Sequence, residues 1–190
     1  AAGSLSATAD DHYYAGFELG LTLSPDSELS RDSDGLVADL DKNAGPIGGL
    51  FVGKKRDEMR YELEYALRKN FFSGVQASNA GSTGLTAGQE YNAGGYQQTD
   101  SIMANVWREF ITTESNWTAL AGLGLGLSHV QIDNARSGST NFANESKWAP
   151  AVQAMAQVAR PIGSGLEFGL GYRYFHVLAK DFGSVDYKAR

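Results

Sequence analysis

Cysteine is absent from the 190-residue chain. Its absence excludes disulfide bonds, thiolate metal sites and cysteine nucleophiles. Positive charge is also scarce, since 16 Lys and Arg stand against 22 Asp and Glu, and no Lys/Arg-rich run occurs. Phosphate binding along nucleic acid needs clustered cationic side chains, so the composition predicts no nucleic-acid partner.

Long apolar runs are missing too, because no stretch approaches the roughly 18 consecutive apolar residues of a transmembrane helix. A standard helical membrane protein is therefore excluded. A membrane β-barrel is not, since each of its strands shows only about ten residues of alternating hydrophobicity. The 23 glycines and the aromatic content of 11% favour a β-rich chain, because long helices tolerate glycine poorly.

Apolar residues alternate with small or polar residues in several segments, and this period of two is typical of β-strands. Four segments show it clearly: 13–23, 59–68, 117–128 and 166–175. Three weaker ones are 47–55, whose facing the pattern leaves unassigned, 101–110 and 149–159. The sequence therefore predicts seven strands, with a short, polar stub of an eighth at 182–187.

The predicted connections alternate between long and short. Long polar segments cover about 24–46, 69–100, 131–147 and 176–190, whereas 56–58, 111–116 and 161–165 are short. Outer-membrane barrels have short periplasmic turns and long external loops. We therefore expect one domain, residues 1–190, forming an all-β transmembrane up-and-down antiparallel β-barrel of about eight strands. Residues 1–11 are expected to be a periplasmic leader left by signal-peptide cleavage.

The two faces of the predicted strands differ in polarity. One face carries glycines and charges of both signs, which suit a narrow barrel interior. Because unpaired buried charge is costly, these charges are expected to pair and plug the lumen. The predicted lumen network comprises Glu18, Arg60, Glu62, Glu64, Arg68, Glu109, Glu167 and Arg173. The apolar face is expected to contact lipid through Phe17, Leu19, Leu21, Tyr61, Leu63, Tyr65, Leu123, Leu125, Phe168, Leu170 and Tyr172.

Several strand patterns together resemble a known family. Residues 59–68 read Met-Arg-Tyr-Glu-Leu-Glu-Tyr-Ala-Leu-Arg, and 101–106 read Ser-Ile-Met-Ala-Asn-Val. Residues 121–126 read Ala-Gly-Leu-Gly-Leu-Gly, and 169–174 read Gly-Leu-Gly-Tyr-Arg-Tyr. In order and alternation these resemble strands of the OmpA/Opa-type outer-membrane β-barrel family. The resemblance implies an eight-stranded barrel, and many members of that family are surface, adhesion or envelope-structural proteins.

The C-terminus departs from the family pattern, which usually closes with a strand ending in an aromatic residue. This chain ends Asp186-Tyr187-Lys188-Ala189-Arg190. Seven strands would leave two unpaired edges in lipid, which is untenable. We expect that the eighth strand is truncated in this sequence, with a strand supplied by another chain as the alternative.

Arrangements for catalysis or metal binding are weak. Ser128 and His129 are sequence neighbours, so they face opposite sides of a strand, which argues against a hydrolytic pair. Asp32 and Asp34, with Asp39 and Asp41 nearby, offer oxygen ligands for Ca²⁺ but lack the spacing of a complete calcium-binding loop. The sequence predicts no catalytic residue, no cofactor and no metal, and therefore a protein that is not an enzyme.

The leading hypothesis is a structural or surface-exposed protein of the bacterial outer membrane, with recognition or adhesion carried by its external loops. Expected partners are outer-membrane lipids, including lipopolysaccharide, and a protein bound through the loops or in a larger membrane assembly. A small pore for ions or apolar solutes is the alternative. An enzyme that modifies envelope lipid is a third possibility.

Overall fold

The protein is described by a computed structural model that covers residues 11–23, 27–31, 36–79, 90–92, 94–112, 116–137, 140–163, 165–178, 181–182 and 185–189. Within these ranges the chain is all-β, as the alternation predicts. No helix in the described part is long and apolar enough to cross a membrane. The strands are β1 (His12–Thr22), β2 (Ser27–Arg31), β3 (Leu36–Asn43), β4 (Gly45–Arg56), β5 (Met59–Asn79), β6 (Glu90–Asn92), β7 (Gly94–Thr112), β8 (Thr118–Ser137), β9 (Thr140–Gly163), β10 (Leu166–Val177), β11 (Asp181–Phe182) and β12 (Val185–Ala189).

Seven of these strands form one curled antiparallel sheet, a half-barrel in the order β1-β4-β5-β7-β8-β9-β10. They are the seven strands that the alternation predicts, and each is hydrogen-bonded to its neighbour in that order. The sheet is not closed, because the described residues of β1 pair only with β4 and those of β10 only with β9. The fold is therefore an open, up-and-down barrel wall with two free edges.

Three short turns join the strands at one end of the sheet, as predicted. A two-residue turn joins β4 to β5, since Arg56 pairs with Met59. Asp57 there has φ 54°, and Asn116 and Gly165 in the other two turns have φ 60° and 83°. These are left-handed conformations, which Asp, Asn and Gly adopt at lower cost than other residues. Residues that adopt a positive φ at low cost therefore occur at the end of the sheet where the connections are short.

The strands at the other end continue beyond the predicted boundaries. The β8–β9 pairing runs to Ser137 and Thr140, so a β-hairpin occupies much of the range predicted as the loop 131–147. Likewise β5 runs to Asn79, β7 begins at Gly94 and β6 pairs with β5, all within the predicted loop 69–100. Backbone pairing needs no apolar alternation, which is why the polar sequence gave no signal for these extensions.

A second part of the sheet is built on the far end of β5. There β3 pairs with β5, β2 with β3, β12 with β2 and β11 with β12. Both β2 and β3 lie inside the range predicted as the loop 24–46. The stub predicted at 182–187 does not extend the barrel wall, because β12 pairs with β2 rather than with β10 or β1. Among the described residues, no strand therefore pairs with the free edge of β1 or of β10.

Side-chain burial alternates strictly along the central strands. On β5, Glu64 and Ala66 are buried, whereas Leu63, Tyr65 and Leu67 are exposed. The concave side of the half-barrel is thus the buried one, and it holds a short apolar cluster of Trp107, Leu120, Met155 and Ala159 as well as polar residues. The pattern also assigns β4, whose facing the sequence left open: Phe51 lies inside and Leu50 and Val52 lie outside.

Candidate functional site

The centre of the concave side is organised around one buried carboxylate. Glu64 on β5 is 1% exposed. Its side chain accepts hydrogen bonds from Asn105 Nδ2 at 2.7 Å, Arg173 Nη1 at 2.6 Å and Gln153 Nε2 at 3.4 Å. Arg68 Nη2 lies 3.8 Å away on the same strand. Four strands therefore contribute groups to a single anion, β5, β7, β9 and β10.

Arg173 joins this centre to the first strand. Its Nη1 and Nη2 donate to the two carboxylate oxygens of Glu18, at 2.9 and 2.7 Å, in the bidentate geometry that strengthens arginine–carboxylate pairs. Glu18 lies on β1 and Arg173 on β10, which are the two free edges of the half-barrel. One ion pair thus spans the open side of the sheet.

Arg68 is buried beside Glu64 and uses neutral partners as well. Its Nη1 donates to Ser101 Oγ at 2.7 Å, and its guanidinium carbon lies 4.0 Å from the centre of the Phe175 ring. Stacking of a guanidinium on an aromatic face is favourable where water is excluded. Since Phe175 lies on β10, this contact also crosses the interior from β5.

A second ion cluster lies nearer the short turns. Arg60 Nε donates to Glu109 at 2.6 Å, and its Nη1 and Nη2 donate to Glu167 at 2.6 and 2.9 Å. Lys55 Nζ donates to the second oxygen of Glu109 at 2.9 Å. Two cations therefore face two carboxylates, drawn from β4, β5, β7 and β10, so this cluster is balanced in charge.

Glu62 lies between the two clusters and is held by neutral donors. Tyr14 Oη donates to one of its oxygens at 2.8 Å and Trp107 Nε1 to the other at 2.6 Å. The Arg60 guanidinium lies 5.7 Å from the centre of the Tyr14 ring. The three groups connect β1, β5 and β7 across the interior.

The structure brings all eight residues of the predicted lumen network to the concave side, in two ion clusters and the Glu62 site between them. We name the whole set the interior network. It also contains members that charge alone did not reveal: Tyr14, Lys55, Ser101, Asn105, Trp107, Gln153 and Phe175. Most of them share the interior parity of their strands, and that parity was the available signal. Lys55 had none, because the facing of its strand was unassigned.

Interior glycines make room for the network. A Cβ placed on Gly49 would lie 2.9 Å from a carboxylate oxygen of Glu18, and one on Gly53 would lie 2.8 Å from the Tyr14 hydroxyl. On β8, a Cβ on Gly122 would lie 2.7 Å from the Trp107 indole. In each case the glycine is paired in register with the large residue opposite it. Each of these large interior side chains therefore lies opposite a glycine on the neighbouring strand.

The convex side is apolar and exposed. All eleven residues predicted to contact lipid lie there, with exposed fractions between 46% for Tyr65 and 80% for Leu19. The polarity is therefore opposite to that of a water-soluble protein, in which apolar side chains fill the interior and charges stay outside.

The residues considered for catalysis lie on opposite faces. Ser128 is fully buried on the concave side, whereas His129 stacks on the exposed Trp148 ring at 4.8 Å. His129 Nδ1 lies 3.9 Å from Asp100, which also faces outward. Asp32 and Asp34 lie outside the described residues. Within the described ranges, no group of three or more His, Asp or Glu is placed to hold a metal ion.

Comparison with known proteins finds no matching family model, no matching curated protein and no matching solved structure. The resemblance to the OmpA/Opa-type family therefore stays a prediction from the strand patterns.

Proposed function

We propose that this protein is an integral β-barrel of the bacterial outer membrane, with a structural and surface-exposed role. The observation that carries the proposal is its inverted polarity: an ionised interior network inside an exposed apolar surface. In water, exposed leucines, phenylalanines and tyrosines across a whole sheet face would drive aggregation. In lipid the same face is the favourable one.

The height of the apolar face fits a hydrocarbon layer. On β9 the outward residues between Trp148 and Arg160 are Pro150, Val152, Ala154, Ala156 and Val158, none of them charged. Twelve residue steps at about 3.3 Å, tilted by about 40°, span about 30 Å along the barrel axis. That is the thickness of a typical hydrocarbon core.

Closure of the barrel is part of the proposal, because lipid offers no partner for the free edges of β1 and β10. The Arg173–Glu18 ion pair limits the distance between these edges. One inserted strand would separate them by about 10 Å, twice the strand spacing. An arginine and a glutamate reaching toward each other can span that distance, so the ion pair is compatible with one further strand antiparallel to both edges.

The interior network supports a structural role rather than transport. Glu64 is buried and in contact with groups from three other strands, and Arg60 bridges Glu109 and Glu167. These contacts fill the interior where a conducting pathway would run, so the protein is expected to be a plugged barrel. Recognition or adhesion is then assigned to the end opposite the short turns. There the β8–β9 hairpin continues for eight residue steps beyond the His129–Trp148 pair, roughly 25 Å.

The proposal is tested by migration on a denaturing gel with and without boiling, after refolding in detergent. A compact band that slows on boiling is expected once the wall is complete. The 190-residue chain is compared with a version extended after Arg190 by one strand of alternating apolar and small residues ending in Phe. If neither form shows a heat-dependent shift, the membrane barrel is wrong.

The pore alternative is separated by conductance in planar bilayers. Steady channels in the wild-type protein, altered by Arg60→Ala, would contradict the plugged interior and favour transport. A silent bilayer containing correctly folded protein would support the structural role.

A further inference from the structure

We infer that the outward-facing cations at the short-turn end form a binding rim for the phosphate groups of a phospholipid leaflet. The inference rests on the proposed membrane insertion and adds to it a specific lipid contact. The rim consists of Lys54 and Arg56 on β4, Arg108 on β7 and Arg160 on β9, all on the convex side.

Each strand places its rim cations close to a short turn. Lys54 and Arg56 precede the Asp57–Glu58 turn, Arg108 lies four residues before the end of β7, and Arg160 lies three residues before the end of β9. The outward residues on the other side of these cations are apolar: Val52 on β4, Val106 on β7 and Val158 on β9. The rim therefore follows the boundary of the apolar face.

Three of the cations lie over aromatic rings at that boundary. Lys54 Nζ is 5.6 Å from the Tyr13 ring centre, Arg108 Cζ is 5.6 Å from Phe110 and Arg160 Cζ is 5.9 Å from Trp117. Aromatic residues concentrate where acyl chains meet headgroups. Cations held beside these rings lie at the depth of the lipid phosphates.

The chemistry of the rim suits phosphate. Arginine presents a planar set of N–H donors that matches phosphate oxygens, and it is weakly hydrated. Arg108 is 61% exposed, with Glu58 at 3.7 Å and itself 72% exposed, so that contact is loose and open to exchange. Arg160 forms no salt bridge within the part of the chain that the structure describes. Lys54 lies 3.2 Å from Asp11.

The opposite boundary of the apolar face differs in charge. There Lys69 lies 3.7 Å from the Tyr96 ring, but Asp100 and His129 face outward on the neighbouring strands. The cationic rim is therefore a property of one end, and Lys69 provides a matched control cation at the other.

The test uses the chain with its added closing strand, refolded into two kinds of vesicle with the same oleoyl chains. One is dioleoylphosphatidylglycerol and the other is phosphate-free digalactosyldiacylglycerol. In each kind of vesicle, the fraction of protein in the heat-modifiable band is measured as a function of urea concentration, which gives the equilibrium constant for folding (the folding constant). We expect a larger constant in the phosphate lipid. Because the chain has a formal net charge of −6, general attraction to an anionic surface would not produce that preference.

The double variant Arg108→Gln/Arg160→Gln is expected to lower the ratio of the two folding constants about fivefold per arginine removed. Arg108→Lys/Arg160→Lys is expected to keep most of the preference, and Lys69→Gln to leave it unchanged. Folding of each variant is checked first in dodecyl maltoside micelles. If the double glutamine variant fails to fold there, the single variants Arg108→Gln and Arg160→Gln replace it, each expected to lower the ratio about fivefold.

The outcomes separate this inference from the proposed function. Failure of the extended chain without substitutions to fold in either vesicle contradicts membrane insertion itself. Folding with equal constants in both vesicles, or an equal loss of preference in Lys69→Gln, overturns the phosphate rim while leaving insertion intact.

Discussion

The two faces of each central strand obey opposite rules, and residues one position apart show it. On β5, Glu64 is 1% exposed and joined to partners on three other strands, while Leu63 next to it is 56% exposed. In a soluble protein the apolar residue would be inside and the carboxylate outside. The comparison teaches that interior positions of this protein are occupied by polar groups that pair with each other. Exterior positions are occupied by side chains that suit the medium around the protein. Four substitutions would break or sharpen it.

The largest effect is expected from the interior carboxylate. Glu64→Gln removes the charge that faces Arg68 and Arg173, and breaking a buried pair typically costs about 3–5 kcal/mol because the partner is left uncompensated. We expect a loss of unfolding free energy in that range, measured by urea titration in lipid vesicles. A loss below about 1 kcal/mol would show that the interior is wet and the network loose.

The next effect tests the exterior. Leu125 is 69% exposed near the middle of the apolar face of β8. Leu125→Arg is expected to destabilise the protein by about 2–4 kcal/mol in a bilayer, as a cation does near the membrane midplane. The same titration in vesicles measures it. If the variant were as stable as the parent, the convex side would be facing water.

A smaller effect is expected where an interior glycine meets a large neighbour. Gly122→Val places its Cβ 2.7 Å from the Trp107 indole, and such overpacking typically costs about 1–3 kcal/mol. The adjacent Ala121→Val points outward and is the matched control, expected to be neutral. Equal unfolding free energies for the two variants would contradict the assignment of the faces.

The smallest effect is expected at the rim. The Glu58–Arg108 pair is exposed on both sides, and such pairs contribute about 0–1 kcal/mol. Glu58→Gln should therefore leave the urea midpoint nearly unchanged. A loss of unfolding free energy as large as that of Glu64→Gln would mean that the exposed Glu58–Arg108 pair stabilises the protein as much as the buried contacts of Glu64 do.

The sequence was sufficient to predict the seven strands of the half-barrel and the facing of most of them, because a period of two records which side each residue occupies. It did not predict the facing of β4, because Gly48 and Gly49 have no side chains that would distinguish its two faces. It missed β2 and β3, because polar strands can pair through backbone groups that any residue carries.

The membership of the interior network was easier to predict than its pairing. Arg60 and Glu62 were placed inside by parity, but Glu62 is held by Tyr14 and Trp107, while Arg60 reaches Glu109 and Glu167. These partners are brought together by the curl of the sheet and the register of strands far apart in sequence. Alternation along a single strand predicts neither the curl of the sheet nor the register between strands that are far apart in sequence.

The most direct test of the inverted polarity is a nitroxide scan along β9, which the absence of native cysteine makes simple. Single cysteines at positions 149–158 are labelled in the protein refolded into vesicles, and their accessibility to oxygen and to a water-soluble nickel complex is measured. We predict high oxygen accessibility at Val152, Ala154, Ala156 and Val158, and low values for both reagents at Ala149 and Ala151. Nickel accessibility at the outward positions, or no alternation at all, would contradict a lipid-facing exterior around a plugged interior.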